Sequence, residues 1–508
     1  MKTKIKEILC KEQNSLTENI TAGFFIALSL LVMIICVKYI IADDIWYDEV
    51  FSLKFAENSY AQIASLTASD VHPPFYYWYL KAFQTPGSFL FAGKVSPIVL
   101  AKAASAAPFV GLWIYAFLFV RKRMGVTVMG VFLFFVTAMP QMANYIVEIR
   151  MYSLALFFIT AVFLHSYEIV LENKMCHWAA LIIYGILTAY TQYYACVAVI
   201  AVYVALFCCF LFMKEKKRIM RLLACALVSV LAYLPWMPSF INQLKSVSES
   251  YWIPPLTFRS IFGCLKYIFL PTSYDTTRNY ILAVIMIVLV TVTFFYGVWK
   301  EKSIQKRYLL ICGFFIPAFT AFTGFVFSAL NRPIFIYRYL IPGIGAMWLS
   351  AAYGLISFKR ERLALLLLIP FLLAGHSGVK GFYAEENKKL EAMQETESFL
   401  KSVPEDAVIL CNFNHVQAVT AYYLENENLL YGSEPEALIQ KLLPNCKGFT
   451  DTDKLKEIVE KENVYFLGSF DVREELVEEW KQDGITYTGE QSCLLERYWF
   501  NVYHLSVK

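Results

Sequence analysis

The chain has little charge for its length. Only 17% of its 508 residues are Asp, Glu, Lys or Arg, where soluble domains carry roughly 25%, so one large water-soluble globule is excluded. Histidine is scarce, at six residues, and no two cysteines stand in a CxxC pair. Most of the twelve cysteines lie in apolar runs, among them Cys36, Cys208, Cys209, Cys225 and Cys312, where a thiol behaves as a small hydrophobe. Metal-ligand spacing is absent. No glycine-rich loop opens a helix in the way phosphate-binding nucleotide sites require. There is no internal repeat and no low-complexity segment. The net charge of +4 is too small to suggest a nucleic-acid partner.

What is abundant is apolar surface. Hydrophobic residues make up 58% of the chain, with 42 Phe and 33 Tyr, and the mean hydropathy is +0.50. Apolar runs recur at about 21–42, 97–120, 126–142, 151–171, 177–190, 194–213, 222–241, 281–299, 308–329, 340–357 and 363–376. A run of about 20 residues crosses a bilayer. The fifth and the last are short for that. The first is longer than a signal-peptide core and ends without a small-x-small cleavage site at Tyr39-Ile40-Ile41-Ala42, so it is expected to be a retained span. The expected architecture is a polytopic α-helical membrane protein of about eleven transmembrane helices.

Basic residues set the orientation. Lys2, Lys4, Lys6 and Lys11 precede the first run, Arg121-Lys122-Arg123 follow the second, and Lys214 to Arg221 follow the sixth. Lys300 to Arg307 follow the eighth and Lys359-Arg360-Glu361-Arg362 the tenth. With eleven spans all five clusters fall on one side, which the positive-inside rule makes cytoplasmic. Residues 1–20 are then a cytoplasmic N-terminus and 21–376 a transmembrane domain. A long first outer loop, 43–96, and a C-terminal domain, 377–508, lie outside the cell membrane. In that domain Lys388 to Lys401 reads as an amphipathic helix. Ala407–Cys411, Leu429–Tyr431 and Asn463–Gly468 read as strands, with helices at Val416–Leu424 and Val472–Trp480. Strands alternating with helices predict a small α/β sheet. For Cys411, Cys446 and Cys493, one disulfide and three reduced thiols are equally compatible with the sequence.

Polar residues on the expected outer face form five groups. Trp46-Tyr47-Asp48-Glu49 follows the first run, either as an interfacial aromatic with helix-capping acids or as a carboxylate placed for general-base work. Asp70-Val71-His72-Pro73-Pro74 precedes an aromatic segment ending in Lys81. It reads either as a Pro-initiated helix or as polar groups fixed at headgroup depth. Glu148-Ile149-Arg150-Met151-Tyr152 offers an ion pair at a helix mouth or an Arg for a phosphate. Arg338-Tyr339-Leu340 opens the tenth run, where a lone Arg can also snorkel. Tyr190-Thr191-Gln192-Tyr193-Tyr194 is a polar break that reads as a tight aromatic turn.

Taken together and in this order, these groups resemble the GT-C glycosyltransferases, specifically the protein-mannosyltransferase-like branch that includes the lipid A aminoarabinose transferases. That branch carries a DE pair in the first outer loop, then D-x-HPP-x-YY, E-x-R-x-Y, a T-H-Y-Y-like turn and R-Y-L. The resemblance covers about residues 20–345 and departs at Gln192, where many members have His. It implies a polyprenyl-phosphate sugar as donor and transfer of a hexosyl or pentosyl group, with inversion, to a hydroxyl on the outer face. It further implies Asp48 as base, Arg150 and Arg338 at the leaving phosphate with His72 and Lys81 behind them, and Glu49, Asp70 and Glu148 orienting sugar or cations. Tyr152 and Tyr339 belong to the same donor-binding motifs. The acceptor stays open among lipid, cell-wall polymer and protein. No metal ligand set is assigned and no cofactor is required, with a divalent cation left open. The alternative is a multi-pass transporter or flippase of lipid-linked saccharide.

Overall fold

A computed structural model describes residues 2–249, 253, 255–272, 276–330, 332–357, 365–495 and 497–508, with backbone alone for 2–15 and 247–249. The basic cluster at residues 359–362 and the start of the last run lie outside the described residues. The chain divides into two compact units, one of residues 1–40, 71–76 and 102–383, the other of 41–70, 77–101 and 384–508.

The first unit is helical. Nine helices among the described residues are long and apolar enough to cross a membrane, and Val126–Ala138 and Met175–Ala189 are shorter apolar helices. The chain is thus a multi-pass membrane protein. Among the described residues each of the eleven apolar runs lies mainly in helix, with bounds that differ from the sequence reading; the first helix, for example, already begins at Lys2. The third stops at Ala138, because Pro140 follows and Gln141 takes a left-handed φ of 70°. The last does not stop near 376. It continues unbroken to Ser402, since the stretch after Gly378 is rich in Glu and Lys, which are good helix formers. The amphipathic helix expected at 388–401 is therefore the end of the final apolar helix.

Burial orders these helices. In Tyr152–Glu172 and Tyr337–Ile356 the apolar stretch is 89% and 94% buried, while in Lys216–Ser246 it is 17%. The first two form the centre of the unit and the third faces outward, as an all-round apolar helix does at a lipid boundary. Small residues let helices approach closely. Gly130 lies so near the first helix that a Cβ there would sit 2.8 Å from the Ala22 carbonyl oxygen. Alongside, Ser29 Oγ donates to the Leu133 carbonyl at 3.1 Å and shares a 3.0 Å hydrogen bond with Thr137.

Helix Tyr152–Glu172 gives the unit its two ends. Its 21 residues rise about 30 Å, the thickness of a bilayer core. Glu148 and Arg150 precede its first turn. At its last turn Arg123 grips the Glu168 carboxylate through two hydrogen bonds of 2.7 and 2.6 Å. Arg218 donates to the carbonyls of Ile169 and Val170. Two of the basic clusters therefore meet at the end opposite Arg150.

The second unit combines most of the first loop with the C-terminal residues. The loop folds into helices Tyr47–Glu57 and Tyr60–Thr67 and the bulk of Phe75–Leu90. The second begins with a capping box, Ser59 with Gln62, which satisfies free N–H groups of the first turn; at the first, the Glu49 carboxylate accepts the Trp46 N–H. The C-terminal part is a six-stranded sheet: β1 Val408–Cys411, β2 Asn428–Tyr431, β3 Cys446–Phe449, β4 Val464–Gly468, β5 Ile485–Leu495 and β6 Tyr498–Val507. The order is β3-β2-β1-β4-β6-β5. The first four are parallel, and β5 and β6 form an antiparallel hairpin against β4. Val408, Leu410, Phe466, Trp480 and Tyr503 pack in one core cluster. The three expected strands and two expected helices are present; β3, β5 and β6 are additional. Cys411, Cys446 and Cys493 are buried free thiols. Burial pushes Cys446 up to about 12 and Cys493 to about 11, so the thiolate needed for redox chemistry is suppressed.

Candidate functional site

The helical unit gathers Glu148, Arg150, His72, Tyr152, Arg338 and Tyr339. The chain leaves helix Met142–Val147 at Glu148, extends for one residue, and re-enters helix at Tyr152. This break points Arg150 inward, 4% exposed, with its Nη2 3.5 Å from His72 Nε2. His72 is held by the Pro-Pro turn that follows it, where the Phe75 N–H donates to the Tyr190 carbonyl at 3.0 Å. Arg338 lies on a 3₁₀ turn, Tyr337–Leu340, that opens the buried helix Ile341–Ile356. Its guanidinium sits over the Tyr152 ring, 5.7 Å from the centroid. Tyr152 is within electrostatic reach of Arg338, Tyr339, Arg150 and Glu148 together. Tyr339 stacks on Tyr194 at 4.7 Å. The hydroxyls of Tyr152 and Tyr194 are buried and have no hydrogen-bond partner among the described residues, an arrangement that costs free energy unless a ligand supplies the partner.

Two tyrosines that sequence reasoning missed complete this cluster. Tyr145 and Tyr267 share a short hydroxyl–hydroxyl hydrogen bond. Tyr145 packs edge-on against Tyr152 at 5.3 Å, and Tyr267 is within electrostatic reach of Glu148 and Arg338. Among 33 tyrosines nothing in the sequence marked these two. Gln192 accepts the Ala195 N–H at 2.6 Å and caps helix Tyr193–Phe212. The turn reading of that segment holds, and the departure from His there has a structural explanation.

Asp48, Glu49, Asp70 and Lys81 belong to the second unit. Asp48 is in the first turn of helix Tyr47–Glu57, where the helix dipole favours a carboxylate. Glu49, 4% exposed, turns back to accept the Trp46 N–H at 3.1 Å. It thereby fixes the turn that carries Asp48. Lys81 donates to the Ala56 carbonyl at 3.4 Å and lies over the Tyr60 ring, so it ties helix Phe75–Leu90 to the first-loop helices. Three C-terminal residues that the sequence did not single out surround Asp48 and Asp70. His415 stacks on Tyr47 with centroids 3.9 Å apart. Burial holds its imidazole below the usual range, against the pull of Asp48. Glu436 is pushed above the usual carboxylate range by burial and then by Asp70. Tyr498 packs against His415 at 5.3 Å.

One group among the described residues brings three possible metal ligands together, Glu168, Glu172 and His177. It lies at the opposite end of helix Tyr152–Glu172 from Arg150. Arg123 already bonds both of its carboxylates, and Lys174 pairs with Glu172, so the charge that would attract a cation is neutralised.

The helical bundle, the carboxylate-bearing first loop and the terminal sheet domain give the chain an ArnT-like fold. Among solved structures the chain is similar to ArnT from Cupriavidus metallidurans. In the apo state the TM-score is 0.57 at 13% identity, over 96% of this chain and 98% of that one. With ArnT bound to undecaprenyl phosphate it is 0.58 at 12% identity, over 95% and 97%. The oligosaccharyltransferase AglB from Archaeoglobus fulgidus, in complex with an inhibitory peptide and a dolichol-phosphate, aligns at a TM-score of 0.46 and 10% identity over 88% of this chain and 69% of that one. No protein-family model matches the sequence, and no curated protein matches it.

Proposed function

We propose that the protein is a glycosyltransferase that moves a sugar from a polyprenyl-phosphate donor to an acceptor hydroxyl on the outer face of the membrane, inverting the anomeric carbon. The observation that carries this reading is the convergence of Arg150, Arg338 and His72 with the orphaned Tyr152 hydroxyl at one end of the central helix. A buried guanidinium, a half-buried one and a hydroxyl suit the phosphate of a lipid whose tail lies in the bilayer. The fold likeness to ArnT, solved with undecaprenyl phosphate, supports the same donor class. The basic loops at the other end of that helix support an outer location for the site, because positive loops stay in the cytoplasm.

In this reaction the acceptor oxygen attacks the anomeric carbon while the bond from that carbon to the phosphate oxygen breaks. The bonding pair leaves on the phosphate, and the acceptor proton passes to Asp48. A phosphate needs no general acid to leave, so the catalytic demand falls on the groups that hold its charge. Arg150 and Arg338 are assigned to it, with His72 beside Arg150 and Glu148 orienting the guanidiniums. Tyr152 and Tyr339 shape the donor pocket. Glu49 positions Asp48 through the Trp46 turn, Lys81 braces the first loop, and Asp70 faces Glu436. The ionisable residues lie at helix ends, whereas transporters bind their substrates near the midplane. No metal is assigned. The sugar is a hexose or pentose.

The test is turnover of an undecaprenyl-phosphate sugar by the purified full chain. Asp48→Asn keeps the shape of the side chain and removes the base, so turnover at saturating donor should fall about 10²–10⁴-fold with donor affinity unchanged. Normal turnover by Asp48→Asn, with a donor verified on the parent protein, would sink the assignment of Asp48.

A further inference from the structure

The sheet of the second unit changes its direction of growth at β1. From β1 the chain adds β2 and then β3 on one side, and returns to lay β4 on the other. At such a switch point the loops leaving the two strands part and open a crevice beyond their carboxyl ends, where open α/β sheets bind ligands. Phe413 follows β1, and Phe470 follows β4. Asn412 ties the two loops together, its amide donating to the Ser469 carbonyl at 2.9 Å and accepting the Ser469 N–H at 2.8 Å. The hairpin end at Arg497 to Asn501 closes the third side, with Asn501 paired to Gly468.

This crevice holds a cavity of about 400 Å³, a size suited to a small ligand. Its lining includes five aromatic rings, Phe413, Phe470, Tyr498, Trp499 and Phe500, and two guanidiniums, Arg473 and Arg497, and no carboxylate among the described residues. Phe470 and Trp499 are 63% and 52% exposed, an unusual investment of large apolar surface unless something covers it. Phe470 also adopts a left-handed φ of 60°, a costly conformation for a bulky side chain. It turns an aromatic ring outward at the end of β4. Arg473 is braced by the Phe470 carbonyl at 2.7 Å and by Glu474 at 3.2 Å.

The cavity wall adjoins the turn that carries Asp48. Arg497 lies 3.9 Å over the Trp46 ring. His415, stacked on Tyr47, contacts Phe413 at 4.5 Å and Tyr498 at 5.3 Å. The Tyr47 hydroxyl is buried without a partner among the described residues and within electrostatic reach of Tyr498. Aromatic faces suit the C–H faces of sugar rings, and guanidiniums grip carboxylates and phosphates in a bidentate manner.

We propose that this cavity is an acceptor-binding site for a saccharide that carries an anionic group, its rings on Phe470 and Trp499 and its anion on Arg473 and Arg497, beside the Asp48 turn. The word acceptor rests on the glycosyl-transfer reading; the saccharide site itself does not. The experiment is saturation-transfer NMR on the full chain in lipid nanodiscs without donor. The probes are glucose 6-phosphate, glucuronic acid, maltose and inorganic phosphate, and comparing the first two separates a phosphate from a carboxylate as the preferred anion. At least one anionic sugar should bind about tenfold or more tightly than maltose or inorganic phosphate. Trp499→Ala and Arg473→Lys should each weaken that binding about tenfold, with Lys441→Ala as the unaffected control. Trp499 is exposed enough to be replaced without unfolding the sheet. Equal binding of maltose and the anionic sugars, or binding indifferent to both variants, would overturn the proposal. Because donor is absent, these outcomes are separate from the turnover of Asp48→Asn, and either reading fails without the other.

Discussion

Arg150 and Arg338 illustrate how far single residues can be read. In the sequence Arg150 stands beside Glu148 at a helix mouth and Arg338 as a lone cation at the start of an apolar run, and the structure brings both to Tyr152. Replacing either with Ala should weaken undecaprenyl-phosphate binding about ten- to a hundredfold, since a hydrogen bond to a charged group contributes roughly 1.5–3 kcal/mol. Lys441→Ala, on an exposed helix face, should leave it unchanged. Titration of each purified variant with the lipid decides this, and parental affinity in both arginine variants removes them from the site. Other residues were legible in identity but not in duty. Glu49 and Lys81 stood out as donor-binding candidates, and the structure adds contacts the sequence does not show: Glu49 accepts the Trp46 N–H and Lys81 donates to the Ala56 carbonyl. Their polar atoms reach backbone groups at distances no linear pattern reveals.

Helices were legible as elements wherever an apolar run was long. Strands β3, β5 and β6 were not. The first is only Cys446-Lys447-Gly448-Phe449, and the middle of β5 is exposed and polar, so neither shows a hydrophobic run. Their strand character comes from pairing, which β-propensity reflects only weakly. Packing between helices carries its own test. A methyl group at Gly130 meets the backbone of Ala22, while one at Gly23 meets nothing within 4 Å. Gly130→Ala should therefore cost about 1–3 kcal/mol through overpacking. Gly23→Ala, in the first helix, should be neutral or slightly stabilising. Thermal unfolding in detergent compares the two, and equal midpoints would mean that the helices part freely at Gly130.

For the whole molecule the sharpest expectation is topological. A reporter fused after Lys508 should be extracytoplasmic and one inserted near Lys217 cytoplasmic, because the basic clusters alternate with the eleven apolar helices in one register. Protease protection or a compartment-specific reporter reads this directly. Both reporters on one side would overturn the span count and the outer location of the proposed chemistry. The register counts the short helices Val126–Ala138 and Met175–Ala189 as crossings, although they are shorter than the other nine.

The amino-acid sequence alone determined that the chain is a multi-pass membrane protein, that it ends in an α/β domain, and which polar motifs interrupt the apolar runs. These are properties of composition and local period, and burial in lipid or in a sheet imprints them residue by residue. The tertiary structure alone decided which residues share a site. Tyr267 joins Tyr145, Glu148 and Arg338, His415 and Tyr498 join the Asp48 turn, and Glu436 faces Asp70, each across a long stretch of chain. It also decided that β4 returns to the far side of β1 and opens the aromatic and arginine-lined crevice. Contacts of this kind depend on how helices cross and how strands order, and that order is set by the burial of whole faces at once. No short segment holds that information.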